Sequence, residues 1–89
     1  PKVTRIYKEG ADALKLVTDE DAECSYSTQN CNFNFADGNI MIYNTPGIKT
    51  VLYAPWQDGN TYYIKCRDSY GNLPSPNSCS IVASASNVR

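Results

Sequence analysis

The stretch WQDGNTYYIKCRDSYGN, residues 56–72, decides how the rest of this 89-residue chain is read. It begins on the chain's single tryptophan and turns through Asp58-Gly59. It then alternates Tyr62, Ile64 and Cys66 with Tyr63 and Lys65, and turns again at Tyr70-Gly71-Asn72. Alternation with period two marks a half-buried strand, and Gly beside Asp or Asn marks the turns that bound it. Two readings compete. As a site, the stretch offers aromatic rings, a thiol and the Arg67-Asp68 charge pair. As architecture, it is a strand that turns Tyr62, Ile64 and Cys66 inward and leaves Tyr63 and Lys65 outside.

Working outward, the same period recurs. VTRIYK is a first strand candidate, and DALKLVT places Leu14 and Leu16 on one face with Lys15 between them. AECSYS sets Ala22, Cys24 and Tyr26 against Glu23 and Ser25, and CNFNF alternates Cys31, Phe33 and Phe35 with asparagines. NIMIYN is a short apolar run, TVLYAPW groups Leu52, Ala54 and Trp56, and CSIVA closes the set. Pro55 cannot donate to a ladder and so marks a strand end. KEGAD, ADGN, NTPG, QDGN and YGNLPSPN supply turn chemistry between the runs. No helical period of useful length competes. Short strands at this spacing predict an all-β sandwich or barrel, as a single domain over residues 1–89 with the sandwich over about 2–84 and a polar tail over 85–89.

Composition narrows the function classes. The formal charge is −1, with no basic face to attract nucleic acid. No apolar run approaches the ~20 residues that span a bilayer as a helix. The start PKVTRIYKEG, without Met, is expected of a processed protein or of a domain within a larger one. There is no histidine, which removes the commonest general base and metal ligand together. The four cysteines, Cys24, Cys31, Cys66 and Cys79, form no CxxC pair. They read as two disulfides in an oxidising compartment rather than as a zinc site. The alternative is buried thiols packing as small hydrophobes.

The residues around the opening stretch resemble a sandwich corner. Trp56 stands six residues before Tyr62 with Asp58-Gly59 turning between them, and Tyr62 alternates inward with Ile64 and Cys66. This is similar to the corner between the fifth and sixth strands of fibronectin type III and other immunoglobulin-like domains, with Trp56 where leucine is usual. Tyr62 then resembles the corner tyrosine, whose hydroxyl bonds back to the chain. More narrowly, TDEDAECSYS and TYYIKCRDSYGN resemble paired motifs of fibronectin-type-III-like domains in bacterial cell-surface proteins. The likeness covers roughly residues 14–82, with CNFNF and SCSIV resembling the additions of a disulfide-richer subset. It implies a small immunoglobulin-like sandwich of about seven strands. It also implies that the third and sixth strands are neighbours, so that Cys24 pairs with Cys66 and Cys31 with Cys79. The rival pairing is Cys24–Cys31 with Cys66–Cys79.

Candidate sites are weighed against that frame. Asp19, Glu20 and Asp21 are a weak calcium candidate, since their spacing is not that of an EF-hand loop. Paired carboxylates for glycoside hydrolysis need an apolar cleft, for which a sandwich this small has little room. Tyr43, Tyr53, Tyr63, Lys65, Arg67 and Tyr70 form the expected contact face, for stacking on sugars or anchoring a protein partner. Trp56, Asp58, Gly59 and Tyr62 are expected to be structural. No cofactor is implied. The expected function is a non-enzymatic extracellular module of a bacterial surface protein or filament, acting as spacer or protein-contact unit. The alternative is a carbohydrate-binding module using exposed tyrosines. Expected partners are protein neighbours, including identical subunits, or cell-surface glycans. Strand addition by PKVTRIYK to a neighbour's open edge is one such contact.

Overall fold

A computed structural model describes residues 1–73, 78–84 and 88. The strands are β1 (Val3–Glu9), β2 (Ala13–Thr18), β3 (Glu23–Ser27), β4 (Asn39–Ile40), β5 (Ile42–Tyr43), β6 (Val51–Pro55), β7 (Tyr62–Arg67) and β8 (Ile81–Ala83). They form two four-stranded antiparallel sheets, ordered β1-β2-β6-β5 and β4-β3-β7-β8. This is a β-sandwich with the strand order of an immunoglobulin-like Greek key.

The core lies where the two alternating patterns meet. Leu14, Leu16, Leu52 and Ala54 from one sheet face Cys24, Tyr62, Ile64, Cys66 and Ala83 from the other. Each buried leucine or isoleucine contributes about 1.5–3 kcal/mol through burial. Cys24 and Cys66 stand directly opposite on neighbouring strands, with Cα atoms 4.1 Å apart, and are disulfide-bonded. Their main-chain groups turn away from each other. The Cys24 carbonyl accepts from Met41 N–H and the Cys66 N–H donates to Ser80 Oγ. That is the close, non-hydrogen-bonded kind of cross-strand pair. Cys31 and Cys79 form the second disulfide.

The corner at the end of β6 holds its shape through Tyr62. Its hydroxyl donates to the Pro55 carbonyl at 2.6 Å and accepts from Gln57 N–H at 3.0 Å. The Trp56 ring stacks on Tyr62 with centroids 5.3 Å apart, and its indole N–H donates to Asp58 Oδ1. Gly59 takes φ 90°, the left-handed position of a tight turn, which only glycine adopts without strain.

Three expectations need correction. CNFNF is not a strand. Asn32 N–H donates to Asn30 Oδ1, and Phe35–Asp37 form a 3₁₀ turn. Short asparagine side chains compete with ladder pairing, so the run becomes a loop. NIMIYN is not one strand either. Asn39–Ile40 pair with β3 in one sheet, and Ile42–Tyr43 pair with β6 in the other. Buried Met41 is the pivot between them. Finally, the expected polar tail over 85–89 carries one described residue, Val88, and it is in the core at 4% exposure. Its N–H donates to the Ser84 carbonyl. As the tail's one large apolar side chain, Val88 gains from burial what its polar neighbours would lose. The rest of that tail, and residues 74–77 of the YGNLPSPN turn, lie outside the described residues.

Candidate functional site

The expected contact face divides between the outer surfaces of the two sheets. On the β4-β3-β7-β8 sheet, alternation turns Glu23 and Ser25 outward on β3, opposite Arg67 and Lys65 on β7. This face is not open. Residues 28–38, tied to the approach to β8 by Cys31–Cys79, fold over it. Lys65 Nζ donates to the Phe33 carbonyl at 2.8 Å and lies 4.8 Å from the centre of the Phe33 ring. Lys65 is only 3% exposed. The expectation that it belongs to a solvent-facing contact surface is therefore wrong. Alternation chose the correct sheet face, but a later loop covers that face. Gly38 completes the cover, because a Cβ there would lie 2.7 Å from the Phe33 ring and 2.9 Å from Ser25 Oγ.

Arg67 extends the covered ladder. Its guanidinium lies 4.1 Å from the centre of the buried Phe35 ring and 3.5 Å from Glu23. Asp68, its neighbour in sequence, is occupied elsewhere. Its carboxylate accepts from Tyr70 N–H, from Asn72 N–H and from the Asn72 side-chain amide. The Asn72 amide, then the Asn72 and Tyr70 N–H groups, hold the Asp68 carboxyl below the usual carboxylate range. The reward of this local network is a shaped loop that presents Tyr70 at 90% exposure.

The tyrosines separate accordingly. Tyr43 is half-buried, and its hydroxyl donates to the Ala22 carbonyl at 2.6 Å. Burial, then Glu23 and Asp21, push its pKa up. Its ring belongs to the packing and not to an outward platform. Tyr63 lies on the outer side of β7 between Ser27 and Val82, half-buried. Tyr53 lies on the other sheet, where the outer surface is open. There Lys15 sits between Tyr7 and Tyr53 on adjacent strands, 5.5 and 5.6 Å from their ring centres. The Tyr7 hydroxyl, then that of Tyr53, raise the Lys15 pKa. Arg5 lies 4.8 Å from the centre of the Tyr7 ring, and Glu9 lies 3.8 Å from Lys15. Sequence reading missed this row. Its signal was present in the phase of VTRIYKE, which sets Arg5, Tyr7 and Glu9 on one side.

The weak calcium candidate is not assembled. Asp19 accepts from Lys2 N–H and Glu20 pairs with the terminal ammonium of Pro1. Among the described residues no group of three His, Cys, Asp or Glu side chains could hold a metal ion. The described residues line shallow clefts. One of about 250 Å³ lies at the pole where β1 starts, lined by Asp21, Ala22, Glu23, Tyr43, Lys49 and Ser69. Another of about 340 Å³ is bordered by Tyr26, Asn39, Gln57 and Tyr62. Neither reaches far into the usual range for small-molecule sites, and neither brings a nucleophile against a base.

Fold and surface together define a small β-sandwich with two disulfides, in keeping with an oxidising compartment. Among the described residues no helix is long and apolar enough to cross a membrane. Comparison with known protein families, with curated proteins and with solved structures yields no match.

Proposed function

We propose that this chain is a non-enzymatic extracellular module of a bacterial surface protein or filament, serving as a spacer and protein-contact unit. One observation carries the reading. The side chains that could do chemistry are bonded to the domain's own framework: Tyr62 to Pro55 and Gln57, Tyr43 to Ala22, Lys65 to Phe33, and Asp68 to its own loop. A spacer role is further supported by the ends of the sandwich. Strand β1 starts beside Thr18 at one pole, whereas β8 finishes opposite Tyr62 at the other. The disulfides also limit how far the chain can lengthen. The shortest covalent path between the ends crosses Cys31–Cys79 and omits a separation of 48 residues.

The experiment is single-molecule pulling through the two ends. Reduced, the chain extends to about 300 Å at roughly 3.4 Å per residue. Oxidised, it is expected to stop at roughly half that length. Oxidised protein extending as far as reduced protein contradicts the spacer role. The second reading, a carbohydrate-binding module, is favoured by the exposed Tyr70 ring. A glycan array with Tyr70→Ala and Tyr63→Ala as controls separates the two. Saturable binding lost in Tyr70→Ala supports the carbohydrate reading, and no binding above background supports the contact module.

A further inference from the structure

Among the described residues the sheet edges are β1 and β5 in one sheet and β4 and β8 in the other. β4 and β5 are two residues long and β8 is three, whereas β1 is seven. An unpaired edge of that length is a template for another strand. β1 already pairs with β2 inside its own sheet, so it is not a free segment awaiting a neighbour. What it offers is its outer side.

The phase of that side follows from the main-chain hydrogen bonds of the next ladder, between β2 and β6. Thr18 N–H donates to the Thr50 carbonyl, and Trp56 N–H donates to the Asp12 carbonyl. Main-chain groups alternate in direction along a strand. Leu14 and Leu16 therefore also turn theirs towards β6, and Ala13, Lys15 and Val17 turn theirs towards β1. Their partners Glu9, Tyr7 and Arg5 answer them. The main-chain groups of Ile6 and Lys8 are left pointing out of the sheet edge. Among the described residues no strand meets them. The register shift between Val3 and Arg5 limits the regular part of the edge to Arg5 onward.

We propose that two copies of this chain join antiparallel through β1, about a two-fold axis at Tyr7, making one sheet continuous across both copies. Three even registers bring the outward groups of Ile6 or Lys8 together. An axis at Ile6 sets Arg5 against the second copy's Tyr7 and gains no ion pair. An axis at Lys8 sets lysine against lysine, and like charges directly opposite destabilise. An axis at Tyr7 pairs Ile6 with the second copy's Lys8 through main-chain hydrogen bonds, on both sides of the axis. On the open outer face it sets Arg5 against the second copy's Glu9, Tyr7 against Tyr7, and Glu9 against Arg5. The R-x-Y-x-E pattern is thus self-complementary, which is what an isologous interface requires. This rests on the reading of the chain as a contact module and names its partner.

Sedimentation equilibrium over a range of protein concentrations and salt tests it. Wild-type protein is expected to show a monomer–dimer equilibrium that weakens with salt. Arg5→Glu and Glu9→Arg are each expected to weaken self-association about tenfold, because each change acts twice across the axis. The double exchange R5E/E9R is expected to restore it to near wild type. Lys8→Pro removes an outward N–H that β2 does not use, and is expected to abolish the dimer while the monomer keeps its fold by circular dichroism. A wild-type protein that stays monomeric at every concentration overturns the proposal. So does a double exchange no better than the single changes, or a dimer that survives Lys8→Pro in folded protein. None of these outcomes bears on the pulling or glycan experiments, so the partner and the broader function fail separately.

Discussion

Lys15 and Lys65 occupy nearly the same sequence setting and end in opposite places. Lys15 stands between Leu14 and Leu16 on β2, and Lys65 between Ile64 and Cys66 on β7, with every one of those neighbours buried. Alternation sends both lysines to the outer face of a sheet. Lys15 stays there, at the surface between Tyr7 and Tyr53. Lys65 is sealed beneath residues 28–38 and bonded to the Phe33 carbonyl. Period two fixes which side of a sheet a residue takes. It does not tell whether that side meets water, because that depends on a loop from elsewhere in the chain and, here, on a disulfide that holds the loop down.

The comparison can be broken most forcefully by removing the tie. Cys31→Ala with Cys79→Ala is expected to cost about 3–4 kcal/mol in chemical denaturation. It should also free the cover and expose Lys65, while Lys15 is unaffected. An unchanged unfolding midpoint would show that the cover stands without its bridge. Next in size is the pair of lysine truncations. Lys65→Ala leaves the part-buried Phe33 carbonyl without its donor and opens a gap where the buried lysine stood, so a loss of about 2–3 kcal/mol is expected. Lys15→Ala gives up only surface contacts with Tyr7, Tyr53 and Glu9 and is expected to lose far less than Lys65→Ala. Equal losses would erase the distinction between the faces.

A finer probe addresses the cover itself. Gly38 has φ −79°, an ordinary value, so glycine is required there by space and not by backbone conformation. Gly38→Ala forces the Phe33 ring or Ser25 aside, at about 1–3 kcal/mol by overpacking. A neutral Gly38→Ala would mean that the loop sits more loosely than described. The smallest effect is the titration of Lys15. Its pKa is raised, so the stabilisation is complete below the ordinary lysine value and is lost as pH rises through the raised one. Followed by NMR, Tyr7→Phe with Tyr53→Phe should bring the Lys15 titration back towards the ordinary lysine value.

Much of the frame was legible because its causes are local. Leu14/Leu16, Leu52/Ala54/Trp56 and Tyr62/Ile64/Cys66 follow strict alternation, and each triplet or pair is buried as its phase requires. The Asp58-Gly59 turn is equally local. What could not be read was decided at a distance. CNFNF carries a strand's alternation, yet its asparagines bond locally and its phenylalanines find Lys65 and Arg67 instead of a ladder. Met41 serves as a pivot between sheets because Cys24 offers it a carbonyl, a contact absent from the run itself. The Arg5-Tyr7-Lys15-Tyr53 surface needed the β1–β2–β6 register before its members became neighbours.

The most direct test is lysine acylation of the native, oxidised protein, read site by site by mass spectrometry. Lys15 is expected to react in the native protein, more slowly than a fully exposed lysine because its raised pKa lowers the free-amine fraction, and Lys65 to stay protected until the protein is unfolded or Cys31–Cys79 is removed. Lys65 reacting as fast as Lys15 in the native protein would contradict the sealed face on which the comparison rests.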